Sequence, residues 1–244
     1  AANTFRLETA RFLEAVADLS PADWDAPIDP PELAGWAVRD LVAHVASSQA
    51  LVAQLLRTDP PVPEVDTTNA GRTDLVRARH AGLRPLDVEL ELTVASELIL
   101  EQVGGRSDAE LTEVLRYWEL EMPLHFLLVH RAFEIWTHRH DLARAISHAA
   151  APSTPGALAT MSSTAASLVP MLLADEVDPA GRDKVVLDLT GPGGRRHVID
   201  LRHARDAETD DAHADSSEDT RPVADRQPRF TLRMTVEDFC RAAA

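Results

Sequence analysis

The sequence predicts an α-helical bundle followed by a small domain that mixes strands and helices. Apolar residues recur every three or four positions through most of residues 1–150, which is the spacing of one buried helix face. Clusters of proline and glycine divide this pattern into separate helices. After residue 150, short apolar runs flank a glycine-rich turn, as in a β-hairpin. We therefore assign residues 1–150 to a four-helix bundle and residues 151–244 to a small α/β domain.

The first part of the chain is expected to contain two long helices. The first covers residues 5–19. Ser20 and Pro21 then indicate a fresh helix start, because serine caps an N-terminus and proline is favoured at the first helical position. The second helix is expected over residues 37–57, and the three prolines within residues 58–63 end it, because proline lacks an N–H donor and fixes φ.

The next two helices of the bundle are expected over residues 72–103 and 123–146. An interruption is predicted at Pro85, because a proline inside a helix removes a backbone hydrogen bond. Gly104 and Gly105 end the third helix. Four long helices joined by loops of moderate length favour an antiparallel bundle.

The second domain is expected to contain helices and a small sheet. A helix is expected over residues 158–173, and strands over residues 185–189, 196–201 and 230–234. Thr235 is expected to cap a short final helix, with Asp238 at its third position. Residues 206–220 hold seven acidic residues and neither lysine nor arginine, which predicts a solvated, mobile loop.

The charge balance limits the classes of partner. The formal net charge is −16, because 40 acidic residues outnumber 24 basic ones. DNA and anionic membranes would repel such a chain, so no nucleic-acid or membrane partner is expected. No apolar run reaches the roughly 18 residues that a membrane span needs, and the N-terminal segment lacks the apolar core of a signal peptide. We therefore expect a cytoplasmic monomer that acts on small molecules.

Glu134 and His138 form the most informative local pattern. Four residues apart on a predicted helix, they share one face with Cβ atoms about 6 Å apart, so they could bind one metal ion. Such a pair more often faces solvent, which is the alternative interpretation. This pair lies in an apolar helix, where an inward carboxylate would need a charge partner. A divalent ion such as zinc, which accepts imidazole nitrogen and carboxylate oxygen, would supply it.

A third ligand would have to come from another helix, and His44 on the second helix is the candidate. It borders the apolar stripe, about one turn from Leu41 and two turns from Leu51. By pattern alone, a histidine satisfied within the core is the favoured interpretation of His44. Three protein ligands would leave an open position, which distinguishes catalytic zinc sites from closed structural ones.

Two separated motifs resemble the mycothiol-dependent maleylpyruvate isomerase family, part of the DinB-like group of four-helix metalloproteins. They are Trp36-x-Val38-Arg39-Asp40-Leu41-x-x-His44 and Glu134-x-x-x-His138-x-x-Asp141-Leu142. The resemblance covers essentially the whole chain. It implies a DinB-like bundle with zinc, or another divalent metal, on His44, Glu134 and His138, followed by a C-terminal domain related to sterol-carrier folds.

The resemblance also implies a reaction. Mycothiol would be the thiol cosubstrate, activated by the metal either for cis–trans isomerisation of a maleylpyruvate-like substrate or for S-transfer to an electrophile. Cys240 is the only cysteine and is expected to be a quiet structural thiol, so the reactive thiol would have to be external. Two other interpretations stay open: a metal-dependent hydrolase that activates water, and a non-catalytic metal-binding or regulatory module.

Two further residues lie near the motif. Asp141, three residues after His138, could accept the second imidazole N–H and fix the tautomer, or it could pair with Arg144 at the surface. His130 precedes Glu134 by four residues and is expected to line the wall of the site.

Two features depart from the family pattern. Ala37 stands where members often have Ser or Thr, so the second helix lacks a side-chain cap. The chain ends in three alanines where members commonly continue with a Gly-Arg element. Arginines near the predicted strands could bind an anionic substrate or the thiol, although most are expected to be surface charges. These arginines are Arg195, Arg196, Arg202 and Arg233.

Overall fold

The computed structural model describes residues 1–29, 33, 35–57, 78–80, 82–107, 109–117, 120–172, 184–200 and 230–243. The chain divides into two compact units, Ala1–Ser153 and Thr154–Ala244. The first unit is mostly helical, and the second combines helices with a three-stranded sheet. This confirms the predicted fold class. None of the helices in these ranges combines the length and apolar character that crossing a membrane requires.

The described part of the first unit contains four long helices, close to where the apolar spacing predicts them. They are α1 (Ala2–Ala17), α2 (Val38–Leu56), α3 (Pro85–Gly104) and α4 (Leu124–Ala145). Helix α2 packs most extensively against α3, and α1 packs against α4. All four helices contribute fully buried apolar side chains to one core. That core fixes α2 and α4, the two helices that carry the candidate ligands.

Helix α3 shows how proline sets a boundary. Pro85 is its first residue, where the missing N–H costs nothing and the fixed φ suits a helix. The predicted interruption at Pro85 is therefore the start of the helix. Residues 78–80 are helical, residues 82–84 are not, and the rest of the predicted stretch from residue 72 lies outside the described residues. Gly105 follows the last helical residue, as predicted.

Helix α2 begins without a side-chain cap. Ala37 has the extended backbone of an N-cap residue, but its methyl group cannot accept a hydrogen bond. The Asp40 carboxylate accepts a hydrogen bond from the Ala37 N–H at 2.9 Å. A complete capping box has a second hydrogen bond, from the Asp40 N–H to the side chain of the N-cap residue, and alanine cannot accept it.

The structure corrects two points in the first unit. Ser20 and Pro21 do not start a helix; they precede a single 3₁₀ turn, Asp23–Asp25. A short antiparallel hairpin, which the sequence did not predict, precedes α4. It pairs β1 (Val114–Tyr117) with β2 (Leu120–Pro123). Each strand has four residues and one charge, Arg116 or Glu121, which is too short for a clear strand pattern. The hairpin nevertheless places Tyr117 in the core with 1% of its surface exposed.

The second unit contains the predicted strands and helices. Its elements are α5 (Pro155–Leu172), β3 (Lys184–Thr190), β4 (Arg196–Asp200), β5 (Phe230–Thr235) and α6 (Val236–Ala243). Strand β3 is central, antiparallel to β4 and parallel to β5. Gly191 and Gly193 turn the chain between β3 and β4 with φ of 86° and 78°, a region that glycine adopts readily.

Thr235 caps α6 as predicted, because its hydroxyl accepts a hydrogen bond from the Asp238 N–H at 3.0 Å. The predicted acidic loop, residues 206–220, and Arg202 lie outside the described residues.

Candidate metal centre

His44 on α2 and Glu134 and His138 on α4 converge within the first unit. One potential ligand atom from each residue lies within 4.8 Å of the other two. His44 Nε2 is 3.1 Å from Glu134 Oε1, and His138 Nε2 is 3.9 Å from the same oxygen. The two imidazole rings are almost perpendicular, with centroids 5.4 Å apart. The structure therefore brings together the three residues that the two motifs single out, although 90 positions separate His44 from Glu134.

Buried neighbours hold the ligand-bearing turns in place. Leu41 and Val45 flank His44 along α2, and Ile135 and Leu142 do the same for the pair on α4; all four are 0–1% exposed. The three candidate side chains themselves keep 12–18% exposure. The cluster thus lies at the edge of the core and is partly exposed to solvent.

Asp141 orients one of the two imidazoles. Its Oδ2 lies 3.3 Å from His138 Nδ1, and the residue is buried. His138 therefore turns Nδ1 towards Asp141 and Nε2 towards Glu134. Of the two alternatives for Asp141, this contact favours the one beside His138.

Charge in the cluster favours the protonation states of metal ligands. Burial alone would raise the pKa of Glu134, but the Arg131 guanidinium and the imidazoles of His44 and His138 hold it well below its usual value. Burial lowers the pKa of His44, and Glu134 opposes that shift. At neutral pH the carboxylate is ionised and His44 is neutral, as metal coordination requires.

Sequence reasoning missed a buried polar network behind Glu134. Arg131 donates from Nε to Gln49 Oε1 at 3.2 Å and from Nη1 to the Tyr117 hydroxyl at 3.3 Å. The same Nη1 contacts Glu134 Oε2. One signal was present in the sequence: Arg131 stands in an apolar stretch three residues before Glu134, the spacing of a helical ion pair.

Two other candidate residues are not part of the cluster. His130 is close enough to Glu134 to feel its charge: burial lowers the pKa of His130, and Glu134 opposes that shift. Its ring packs against Tyr117 at a centroid distance of 6.1 Å. Cys240 is in the second unit, where burial and the nearby Glu237 raise its pKa to about 12. Such a thiol is a poor nucleophile at neutral pH.

The arginines of the second unit that the structure describes are exposed. Arg195 and Arg196 lie at the β3–β4 turn, and Arg233 on β5 is 3.5 Å from Asp188. This agrees with the expectation that most of them are surface charges.

Comparison with known proteins gives one family and one fold. The family model described as the mycothiol maleylpyruvate isomerase N-terminal domain matches residues 5–143, more than half of the chain. Two similar crystal structures are of the mycothiol-dependent maleylpyruvate isomerase, with TM-scores of 0.63 for a histidine-to-alanine mutant and 0.61 for the other. Each is 18% identical, over 100% of this chain and 87% of the other. No curated protein matches the chain.

Proposed function

Because the chain belongs to the family of the mycothiol maleylpyruvate isomerase N-terminal domain, we propose that it is a zinc-dependent enzyme that uses mycothiol to isomerise a maleylpyruvate-like substrate. The observation that supports this most strongly is the convergence of His44, Glu134 and His138. The family is one of isomerases; zinc, the thiol and the substrate are the parts that need testing.

The donor set fits a divalent ion. His44 and His138 both direct Nε2 towards one oxygen of Glu134, so two nitrogens and a carboxylate oxygen face a common point. Asp141 holds the other nitrogen of His138, a support typical of zinc-bound histidines. Two imidazoles and one carboxylate form a set that zinc accepts with a position left open.

The reacting thiol has to come from outside the protein. Cys240 is the only cysteine of the chain, and it is buried with a raised pKa. When bound, a divalent ion would lower the pKa of a thiol at its open position, so that the thiolate forms at neutral pH. The cluster supplies an ionised Glu134 carboxylate and a neutral His44 imidazole at a partly exposed position.

The proposed reaction balances without any other reactant. The thiolate sulfur adds to the conjugated double bond of the cis substrate and converts it to a single bond. Rotation about that bond follows, and elimination of the thiolate restores the double bond in the trans geometry. Thiol is regenerated unchanged. In the alternative outcome, S-transfer, the carbon–sulfur bond persists and thiol is consumed.

Metal analysis tests the ligand assignment. The purified protein should carry about one zinc per chain. His44→Ala and His138→Ala should each lose it, because two remaining ligands bind weakly. His125→Ala is the matched control: His125 is exposed on the same helix as His138, with Nδ1 3.1 Å from the Leu111 carbonyl oxygen, and zinc content should not change. Full zinc occupancy in the His44→Ala/His138→Ala double variant would refute the assignment.

Calorimetric titration with mycothiol tests the thiol. Zinc-loaded protein should bind mycothiol and release a proton, measured in buffers of different ionisation enthalpy, whereas metal-stripped protein should not. Equal binding with and without zinc would exclude the proposed activation. Following a cis-enedione acid by absorbance and free thiol by titration then separates isomerisation, which conserves thiol, from S-transfer, which consumes it.

A further inference from the structure

The two carboxylate oxygens of Glu134 face different partners. Oε1 is the oxygen nearest to both imidazoles, 3.1 Å from His44 Nε2 and 3.9 Å from His138 Nε2. Oε2 is contacted by Arg131 Nη1. The carboxylate therefore offers one oxygen to the candidate metal centre while the other is committed to a cation.

Arg131 is held firmly in this position. Its side chain is 0% exposed, and it bonds to residues from two other elements, Gln49 on α2 and Tyr117 on β1. Nε and Nη1 of the planar guanidinium reach three acceptors between them, a geometry that a lysine ammonium cannot reproduce. The contact thus joins a fully buried arginine to a partly buried glutamate.

We propose that Arg131 is a positioning residue that restricts Glu134 to coordination through Oε1 alone. The proposal rests on the proposed function, because it assumes that His44, Glu134 and His138 bind the metal. If Arg131 does so, the protein supplies three ligand atoms to the metal and not four. One oxygen and two nitrogens leave the fourth position of a tetrahedral ion open for the thiol. A carboxylate bound through both oxygens would occupy that position and compete with the thiol.

Cobalt substitution makes the coordination number visible. Co²⁺ can replace zinc, and its visible absorption is strong in four-coordinate sites and weaker in five-coordinate ones. With Co²⁺ loaded to one equivalent, the wild-type protein should show the strong bands. Arg131→Met frees Oε2, so its bands should weaken and its affinity for mycothiol should fall at least tenfold. Arg131→Lys keeps a positive charge near Oε2 but loses the planar guanidinium, so its band intensity should lie between those of the wild type and Arg131→Met.

The chain supplies a matched control on the same helix. Arg139 is also a buried arginine paired with a glutamate, Glu8, at 3.1 Å, but Glu8 is outside the cluster. Arg139→Met therefore imposes a similar loss of a buried ion pair. Its cobalt spectrum and mycothiol affinity should match the wild type. If both variants show the same spectral change, the cause is a general loss of stability and not the contact between Arg131 and Glu134. That result would overturn the proposal.

The outcomes separate this inference from the proposed function. If the wild-type protein takes up no metal on these residues, the proposed function fails and the inference fails with it. If the wild type binds one metal but Arg131→Met gives the same spectrum and mycothiol affinity, the inference alone fails. If Arg131→Met does not fold, X-ray absorption or a crystal structure of the zinc-loaded wild type decides: one Glu134 oxygen bound supports the inference, and both oxygens bound overturns it.

Discussion

Helix α4 contributes the buried arginines of two arginine–glutamate pairs, which differ in what else the glutamate contacts. Arg131 contacts Glu134, and Arg139 contacts Glu8 on α1; both arginine side chains are 0–1% exposed. Both oxygens of Glu8 are bonded to arginines, Oε1 to Arg11 at 2.9 Å and Oε2 to Arg139 at 3.1 Å. Glu134 has one oxygen on Arg131 and the other facing two imidazoles.

The difference indicates what makes a buried carboxylate available as a ligand. Glu8 is saturated by cations, and Arg139 also donates to the Ser153 hydroxyl and the Ala151 carbonyl, so this pair links α1, α4 and the segment after α4. It contributes to the scaffold. Arg131 contacts Oε2 of Glu134 and lowers the pKa of the carboxyl, while Oε1 faces the imidazoles of His44 and His138. The same two residue types therefore serve stability in one place and, in our proposal, chemistry in the other.

Breaking the ion pair between Arg139 and Glu8 should have the largest effect on the free energy of unfolding. Arg139→Met leaves Glu8 buried beside Arg11 alone, and losing one partner of a buried pair costs about 3–5 kcal/mol of unfolding free energy. Urea unfolding of the metal-free protein measures this. Zinc affinity, determined by chelator competition on the folded fraction, should stay at the wild-type value.

A Glu8→Gln/Arg139→Met double variant sharpens the result. Because the two residues interact, the double variant should lose less stability than the sum of the single variants. A fall in zinc affinity for Arg139→Met as large as for His138→Ala would remove the distinction between the two pairs.

The scaffold was more predictable from the sequence than the site. Helix α4 was predicted within one residue at each end, because a proline precedes it and its apolar spacing is continuous. The hairpin β1–β2 was missed, since strands of four residues with one charged residue each are too short to show a period of two. Such short strands depend on tertiary packing, here the burial of Tyr117.

The candidate site could be predicted only in part. The spacing of Glu134 and His138 is local and follows from helix geometry. His44 comes from another helix, and its pattern alone favoured an ordinary core histidine; the family motif identified it. Arg131 was missed because the sequence does not show which way an arginine faces when both polar and apolar neighbours surround it. Long-range packing of α2 and β1 against α4 determines that direction.

The second prediction concerns Asp141, whose carboxylate lies beside Nδ1 of His138. Asp141→Asn should lower zinc affinity by about 10–100-fold, the usual effect of losing the carboxylate behind a ligand histidine. Chelator competition measures the affinity. Asp18→Asn, at an exposed position after α1, is the control and should leave it unchanged. Wild-type affinity in Asp141→Asn would show that His138 needs no such support and that Asp141 belongs to the scaffold.

The smallest expected effect concerns the start of the helix that carries His44. Ala37→Ser should stabilise the protein by about 1 kcal/mol, because a serine hydroxyl at an N-cap with extended backbone can accept a hydrogen bond from the Asp40 N–H and complete the capping box. For a chain of this length the melting temperature should rise by about 2–4 °C.

The same substitution at Ala50, exposed on α2, is the control and should destabilise the protein by less than about 0.7 kcal/mol, since serine is a poorer helix former than alanine. Zinc affinity should not change in either variant, because both alter the stability of α2 without touching the ligands. A zinc affinity that rises together with the melting temperature in Ala37→Ser would contradict this expectation. It would mean that fraying at the start of α2 weakens zinc binding, so that residues far from the ligands also determine the affinity of the centre.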